Sequence, residues 1–180
     1  MLGLVLLYVG AVLFCNGIWL LGLIQDREIA IINIFVGIVG LIVVVIELAT
    51  SSGTLTTSKL AVIQGGAFTL LFVFTYLWIA YNRFFRIDGS GLGWYSLFVC
   101  LTAIPTAVIT LRHAHGVTAQ VWLGADWIAW AVLWGLYFLL LARPIQWTGI
   151  TKITGALTVA EGIGTGWILG YLLLNGNLHL

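Results

Sequence analysis

Few residues in this chain can do chemistry, and most of them sit in apolar surroundings. Glu161 shares one helical face with Thr154, Thr158 and Thr165, a single carboxylate among hydroxyls. A carboxylate deep in an apolar run costs about a few kcal/mol, so such residues usually face an interior cavity and mark a pathway. The bland alternative is a buried acid hydrogen-bonded to an amide such as Asn16 purely as glue, and the two arrangements are compatible. Asn16 itself ends an apolar stripe of Leu2, Leu6, Val9 and Leu13, where its amide can both donate and accept. Aromatic residues form two further stripes: Leu123, Trp127, Trp130 and Trp134, and Phe74 with Trp78, Tyr81 being nearly in line. Trp127 to Trp134 covers about 10 Å of helix, more than one interfacial belt holds comfortably. These rings either fill a helix contact or line a lumen, and Glu161 tips the reading toward a lumen.

The other polar side chains carry weaker signals. His113 and His115 are residues of a type that titrates between pH 5 and 8, and they are candidates for pH sensing. Two histidines without a third ligand do not make a metal site. Asp126 is offset from the tryptophan stripe, which suits local solvation better than a vestibule wall, and Glu47 lies near the end of its apolar run. His179 has no evident partner. Cys15 and Cys100 lie within apolar segments and read as small core residues rather than a disulfide framework.

The elements that must position these groups follow from composition. The chain has 180 residues, of which 62% are hydrophobic and 7% charged. Its mean hydropathy is +1.14. A soluble domain carries about a quarter charged residues, so this is an integral membrane protein. A net charge of +1 and the lack of any basic run leave no footprint for nucleic acid. A helical span takes roughly 20 apolar residues. Six such runs occur, at residues 2–24, 29–50, 60–81, 93–111, 119–142 and 153–174. They are continuously apolar, unlike the alternating strands of a barrel. The expected fold is an all-α bundle of six transmembrane helices, one domain over residues 1–180.

Met1-Leu2-Gly3 opens without a positive region, and no small-residue cleavage site follows, so a removable signal peptide is not expected. The connections after spans one, three and five hold Arg27, Arg83, Arg86, Arg143 and Lys152, against Lys59 and Arg112 on the other side. The positive-inside rule places the first set in the cytoplasm and both termini outside. The first outer connection is the polar run from Ser51 to Ser58. No 20–50-residue repeat and no inverted repeat is evident. Gly155, Gly162, Gly166 and Gly170 form a small-residue stripe, a packing face within or between protomers.

Several runs match a known family. They are Leu4-Val5-Leu6-Leu7-Tyr8-Val9-Gly10 with Asn16-Gly17-Ile18, Phe74-Thr75-Tyr76-Leu77, Trp94-Tyr95-Ser96-Leu97-Phe98-Val99, Ile104-Pro105, Trp130-Ala131-Val132-Leu133-Trp134 and Glu161-Gly162-Ile163. Over all six spans the chain resembles the urea channel and short-chain amide transporter family (UreI/AmiS). The resemblance implies a homohexamer in the bacterial inner membrane, with one pore per six-helix protomer. It implies passage of urea or small amides, with no cofactor and no metal. Carried over position by position, it implies a pore lining of Leu2, Leu6, Val9, Leu13, Asn16, Phe74, Trp78, Trp127, Trp130, Trp134 and Glu161. Trp78 stands where the acid-gated member has a tyrosine. That member also has a long histidine-containing first outer loop, which is short and lacks histidine here, so strong acid gating is not expected.

Urea is small, planar and neutral, and a passage walled by Trp and Leu offers flat faces to it and almost nothing to a hydrated ion. The expected function is passive, downhill conduction. Three other classes compete. A membrane enzyme needs positioned acids, bases or nucleophiles, and no histidine lies within a span to pair with a serine. Proton-coupled amide transport through Glu161 is the stronger rival. A non-conducting structural or sensory subunit is the third.

Overall fold

The computed structural model describes residues 1–51, 56–142 and 149–179. Arg143 of the charge count and residues 52–55 of the first outer connection lie outside the described residues.

Six helical spans cross the bundle: α1 (Leu2–Leu20), α2 (Asp26–Thr50), α3 (Thr57–Phe85), α4 (Ser90–His113), α5 (Thr118–Leu141) and a composite sixth span. The sixth runs as α6 (Ile150–Glu161), a π-helical segment (Gly162–Ile168) and α7 (Leu169–Leu174). All six are long and apolar enough to cross a membrane. Their ends depart from the apolar runs by a few residues. α3 has 29 residues, about 44 Å of helix, longer than the roughly 30 Å of a hydrocarbon core. α2 starts earlier than its apolar run, with Asp26 and Glu28 in the first turn, where the helix dipole favours acids. Thr56 caps α3 by accepting the Lys59 N–H at 3.3 Å. α3 ends where Arg86 turns left-handed, at φ 55°.

Three helix pairs build the bundle, each held by small residues that let backbones meet. In the α2–α3 pair, Gly37 receives Leu77 and Gly40 receives Val73, and a Cβ at either glycine would fall 2.6 Å from the partner. In the antiparallel α4–α5 pair, Gly93 faces Ala142 at one end and Gly124 faces Leu111 at the other. The glycine stripe of the sixth span packs within the protomer, against α1. A Cβ on Gly17 would sit 2.6 Å from the Gly155 carbonyl, one on Gly162 the same distance from the Phe14 amide, and Gly10 abuts Gly166 and Trp167.

The helix faces turned away from the interior carry Ile31, Phe35, Ile42, Phe98, Leu101, Ile104 and Val132, all exposed apolar side chains suited to lipid. Inside, the core joins Leu6, Val9 and Leu13 of α1 to Phe72 and Tyr76 of α3 and Trp127, Trp130 and Trp134 of α5. Those three helices surround the interior space.

Candidate functional site

Two cavities lie between α1, α3 and α5, with Leu92 and Ser96 of α4 closing the second. The larger, about 250 Å³, is at the N-terminal end of the bundle. Leu2, Leu6 and Val9 line it from α1, Phe68 and Thr69 from α3, and Leu123 and Trp127 from α5, with Glu47 of α2 at its margin. The smaller, about 30 Å³, lies deeper, between Leu13 and Asn16, Tyr76 and Ile79, and Trp134 and Tyr137. One water needs about 10–15 Å³ of such space, so this chamber admits a water-sized group. Phe72 and Trp130 belong to both walls. The structure therefore has a wide chamber at the N-terminal end (the outer chamber) and a narrow, deeper inner one, whose walls share two rings.

Those rings are held in a T-shaped cluster. Phe72 packs steeply against three indoles, with centroids 4.8 Å from Trp130, 4.7 Å from Trp134 and 6.1 Å from Trp127. Trp127 and Trp130 meet nearly at right angles, 5.1 Å apart. Edge-to-face contacts of this kind are each worth about 0.5–1.5 kcal/mol beyond area burial. All three indoles are buried. The tryptophan stripe thus faces the interior, as a helix that rises 1.5 Å per residue and returns every 3.6 residues requires.

The polar edge of the wall is tied back to the sixth span. The Trp130 indole N–H donates to Thr165 Oγ1 at 2.9 Å, and that hydroxyl donates to the Glu161 carbonyl at 2.7 Å. Trp122 N–H reaches the Gly164 carbonyl at 3.2 Å, so the π-helical segment, wider than an α-turn, supplies acceptors to α5. Tyr137 and Thr158 hydroxyls lie 3.3 Å apart, and Thr158 donates to the Thr154 carbonyl at 2.6 Å. With its N–H engaged by Thr165, Trp130 leaves only apolar indole atoms for the cavities.

Asn16 is paired, but not with Glu161. It and Asn33 of α2 exchange reciprocal hydrogen bonds, Asn16 Nδ2 to Asn33 Oδ1 at 3.1 Å and Asn33 Nδ2 to Asn16 Oδ1 at 2.7 Å. Asn33 also donates to the Ile29 carbonyl at 2.9 Å. Each carboxamide has two donors and two lone pairs, so Asn16 keeps one of each for the inner cavity.

Of the lining expected from sequence, Leu2, Leu6, Val9, Leu13, Asn16, Trp127, Trp130 and Trp134 stand on one cavity wall or the other. Phe74 and Trp78 do not. They are 49% and 38% exposed on the outer side of α3, where Trp78 packs 5.8 Å from the Tyr95 ring. The physical reason is a half-turn of helix: Phe72 and Tyr76, not their neighbours two residues on, face α1 and α5. Glu161 is buried, with Oε2 lacking a hydrogen-bond partner, but it is on neither cavity wall. Its register on the sixth span lies between Thr158, bonded to Tyr137, and Thr165, bonded to Trp130. It therefore stands behind the aromatic wall.

Asp126 departs from the expectation of local solvation: it is 3% exposed, on the buried face of α5, with Oδ2 unpartnered. His113 and His115 are exposed in the α4–α5 connection, away from both cavities, with His113 Nδ1 2.8 Å from the Ile109 carbonyl. Sequence reasoning missed Phe72, Tyr76 and Asn33. The Tyr76 hydroxyl is buried and unpartnered beside the inner cavity. A single Asn within the apolar run of span two is the sequence signal for Asn33. No group of three or more His, Cys, Asp or Glu side chains that could hold a metal occurs among the described residues.

Comparison with known proteins agrees with this architecture. The model of the AmiS/UreI family transporter matches residues 1–177. The acid-activated urea channel of Helicobacter pylori is 38% identical, over 96% of this chain and 97% of that one. A Mycolicibacterium smegmatis protein described as a transporter of amidate substrates is also 38% identical, over 97% of this chain and 77% of its own. The electron cryomicroscopy structure of the Helicobacter pylori urea channel in its closed state superposes with a TM-score of 0.83 at 36% identity, covering 99% of this chain and all of that one.

Proposed function

The chain belongs to the AmiS/UreI family of transporters, and we propose that it is a passive channel for urea or short-chain aliphatic amides. The observation that carries this reading is the pair of cavities that share Phe72 and Trp130. A planar neutral solute passes where the crossed rings of Phe72 and Trp130 leave an apolar path between the two cavities. An ion would have to shed its water there, and nothing on these walls replaces it. An apolar constriction also breaks continuous water files, which limits proton leakage. Asn16 and the Tyr76 hydroxyl supply the few hydrogen bonds a desolvated amide needs, and sparse contacts keep binding weak enough for throughput.

The lining we assign is Leu2, Leu6, Val9, Leu13, Asn16, Trp127, Trp130 and Trp134, with Phe72 and Tyr76 in the places first given to Phe74 and Trp78. Glu161 supports the wall from behind. The working unit is a homohexamer in the bacterial inner membrane, with a pathway in each protomer. The positive-inside rule puts the larger cavity and both termini outside and the end bearing Arg27, Arg83, Arg86 and Lys152 in the cytoplasm.

One observation favours proton-coupled transport instead: the unpartnered buried oxygen of Glu161. Its place off both cavity walls favours the channel. Reconstituted vesicles separate the two. Urea and acetamide entry that runs only down the gradient and ignores a proton ionophore is the expected result. Uphill accumulation that collapses with the ionophore would establish coupling.

A further inference from the structure

Beyond the inner cavity, at the end of the bundle away from the N-terminus, a third cavity of about 550 Å³ opens between the α1–α2 and α3–α4 connections. Part of its charged rim is internally satisfied. Asp26 accepts the Trp19 indole N–H at 2.7 Å, Arg83 lies 3.8 Å from Asp26, and the Arg83 guanidinium sits 5.2 Å from the Trp19 ring centroid. Asn82, on the same wall, is different. It is 1% exposed, and neither its Nδ2 nor its Oδ1 has a hydrogen-bond partner among the described residues. Its backbone carbonyl is occupied by the Ile87 N–H at 3.0 Å, so the orphan is the carboxamide alone. Burying an unpaired amide is costly, and a group left so in a cavity wall asks for a ligand.

Position and chemistry say which ligand. Ile79 and Leu92 line the inner cavity. One turn farther along α3 from Ile79 is Asn82, and one turn back along α4 from Leu92 is Gly89. Gly89 is left-handed, at φ 88°, and a Cβ there would lie 3.4 Å from Asn82 Nδ2. The absent side chain leaves a methyl-sized gap beside a carboxamide that the fold otherwise covers. Asn16 and Asn33 show what a carboxamide does in this interior: it takes a second carboxamide, donor to acceptor and acceptor to donor. Asn82 is the same group without its second.

We propose that Asn82 is a solute-binding residue at the inner exit, pairing edge to edge with the C(=O)–NH₂ group of a urea or primary amide as it leaves the inner cavity. This rests on the channel reading above and assigns it an exit station that recognises the amide itself rather than its size. Solutes with no N–H beside the carbonyl, such as N,N-dimethylacetamide, make only one of the two bonds.

The test is magnetic resonance on the reconstituted full-length protein with ¹⁵N-labelled asparagine. The Asn82 signal is assigned by its loss in Asn82→Leu, or in Asn82→Asp if the first variant does not assemble. Urea and acetamide should shift it in a saturable way, and N,N-dimethylacetamide at equal concentration should not. In vesicles, the acetamide to N,N-dimethylacetamide flux ratio should fall about fivefold in either variant. An Asn82 signal indifferent to urea, or a ratio unchanged in an assembled variant, overturns the assignment and leaves the channel reading intact. Wild-type vesicles that pass neither urea nor acetamide overturn both.

Discussion

Phe72 meets Trp130 edge to face, with ring centroids 4.8 Å apart and planes at 80°, and these two side chains form the boundary between the outer and inner cavities. One ring comes from α3 and the other from α5, so the gap between them is set by helix packing and not by either helix alone. A narrower ring spacing would stop urea. A wider one would lose the discrimination that a close aromatic contact gives.

Shortening the α3 ring is therefore the sharpest probe of selectivity. Phe72→Leu keeps an apolar side chain in the core while removing the edge that meets the indoles. Propionamide permeability relative to urea should rise about tenfold, the scale on which apolar pockets sort solutes by a methylene or two. Stopped-flow light scattering of vesicles reads the ratio directly.

The bond between Trp130 and Thr165 sets how firmly the wall is held. Thr165→Val should lower stability by about 1–3 kcal/mol, because it leaves the buried Trp130 N–H unpaired, and Trp130→Phe should cost less in hydrogen bonding, because Thr165 still donates to the Glu161 carbonyl. The double variant should lose less than the sum of the two. Thermal unfolding of the solubilised protein followed by tryptophan fluorescence measures this, with Thr165→Val as the arm that keeps all indoles.

The reciprocal amides of Asn16 and Asn33 make a similar prediction across α1 and α2. Asn33→Leu should destabilise the protein by about 1–3 kcal/mol, and adding Asn16→Leu should restore part of the loss, since both buried polar groups are then gone. Equal destabilisation in the single and double variants would mean that Asn16 is satisfied from the cavity instead.

How the sequence concealed the inner face of α3 is instructive. Its aromatic residues recur every second position, Phe72, Phe74, Tyr76 and Trp78, so a helix displays two aromatic stripes half a turn apart. In water one stripe would be polar and would mark the outside. In lipid both are apolar, and only packing against Val9 and Trp130 decides between them. The stripe ending at Asn16 was readable because a buried amide needs an interior. The tryptophan stripe was readable because its length excludes a single interfacial belt. Asp126 is buried despite its offset from that stripe, because α5 is buried over a broader arc that includes it. The glycine stripe could be assigned to packing from sequence, but its partner, α1, appeared only in three dimensions.

That distinction has a functional counterpart. Phe74→Ala and Trp78→Ala should leave urea flux per assembled protein within about twofold of wild type, as befits side chains on the outer surface. Trp134→Ala, on the wall, should change flux or selectivity clearly. Parallel flux assays normalised to protein content separate the two sets.

Acid should do little. His113 and His115 stand in an exposed connection, off the walls of both cavities. Urea flux should vary less than about tenfold between pH 5 and 7.5, a difference of about 1.4 kcal/mol. Replacing both histidines by alanine should leave that profile unchanged. A steep acid-activated rise abolished by the double replacement would show that the connection gates the pathway from a distance.

The central claim is that solute passes through the space between α1, α3 and α5, and one measurement addresses it most directly. Leu6→Cys places a thiol in the outer cavity and Leu13→Cys places one in the inner cavity, each in a Cys15→Ser, Cys100→Ser background. Treatment with a small neutral methanethiosulfonate, followed by mass spectrometry and urea flux on the same vesicles, should show labelling at both depths with flux lowered about tenfold or more, equivalent to about 1.4 kcal/mol. Complete labelling with undiminished flux, or no labelling at either depth, would contradict the account.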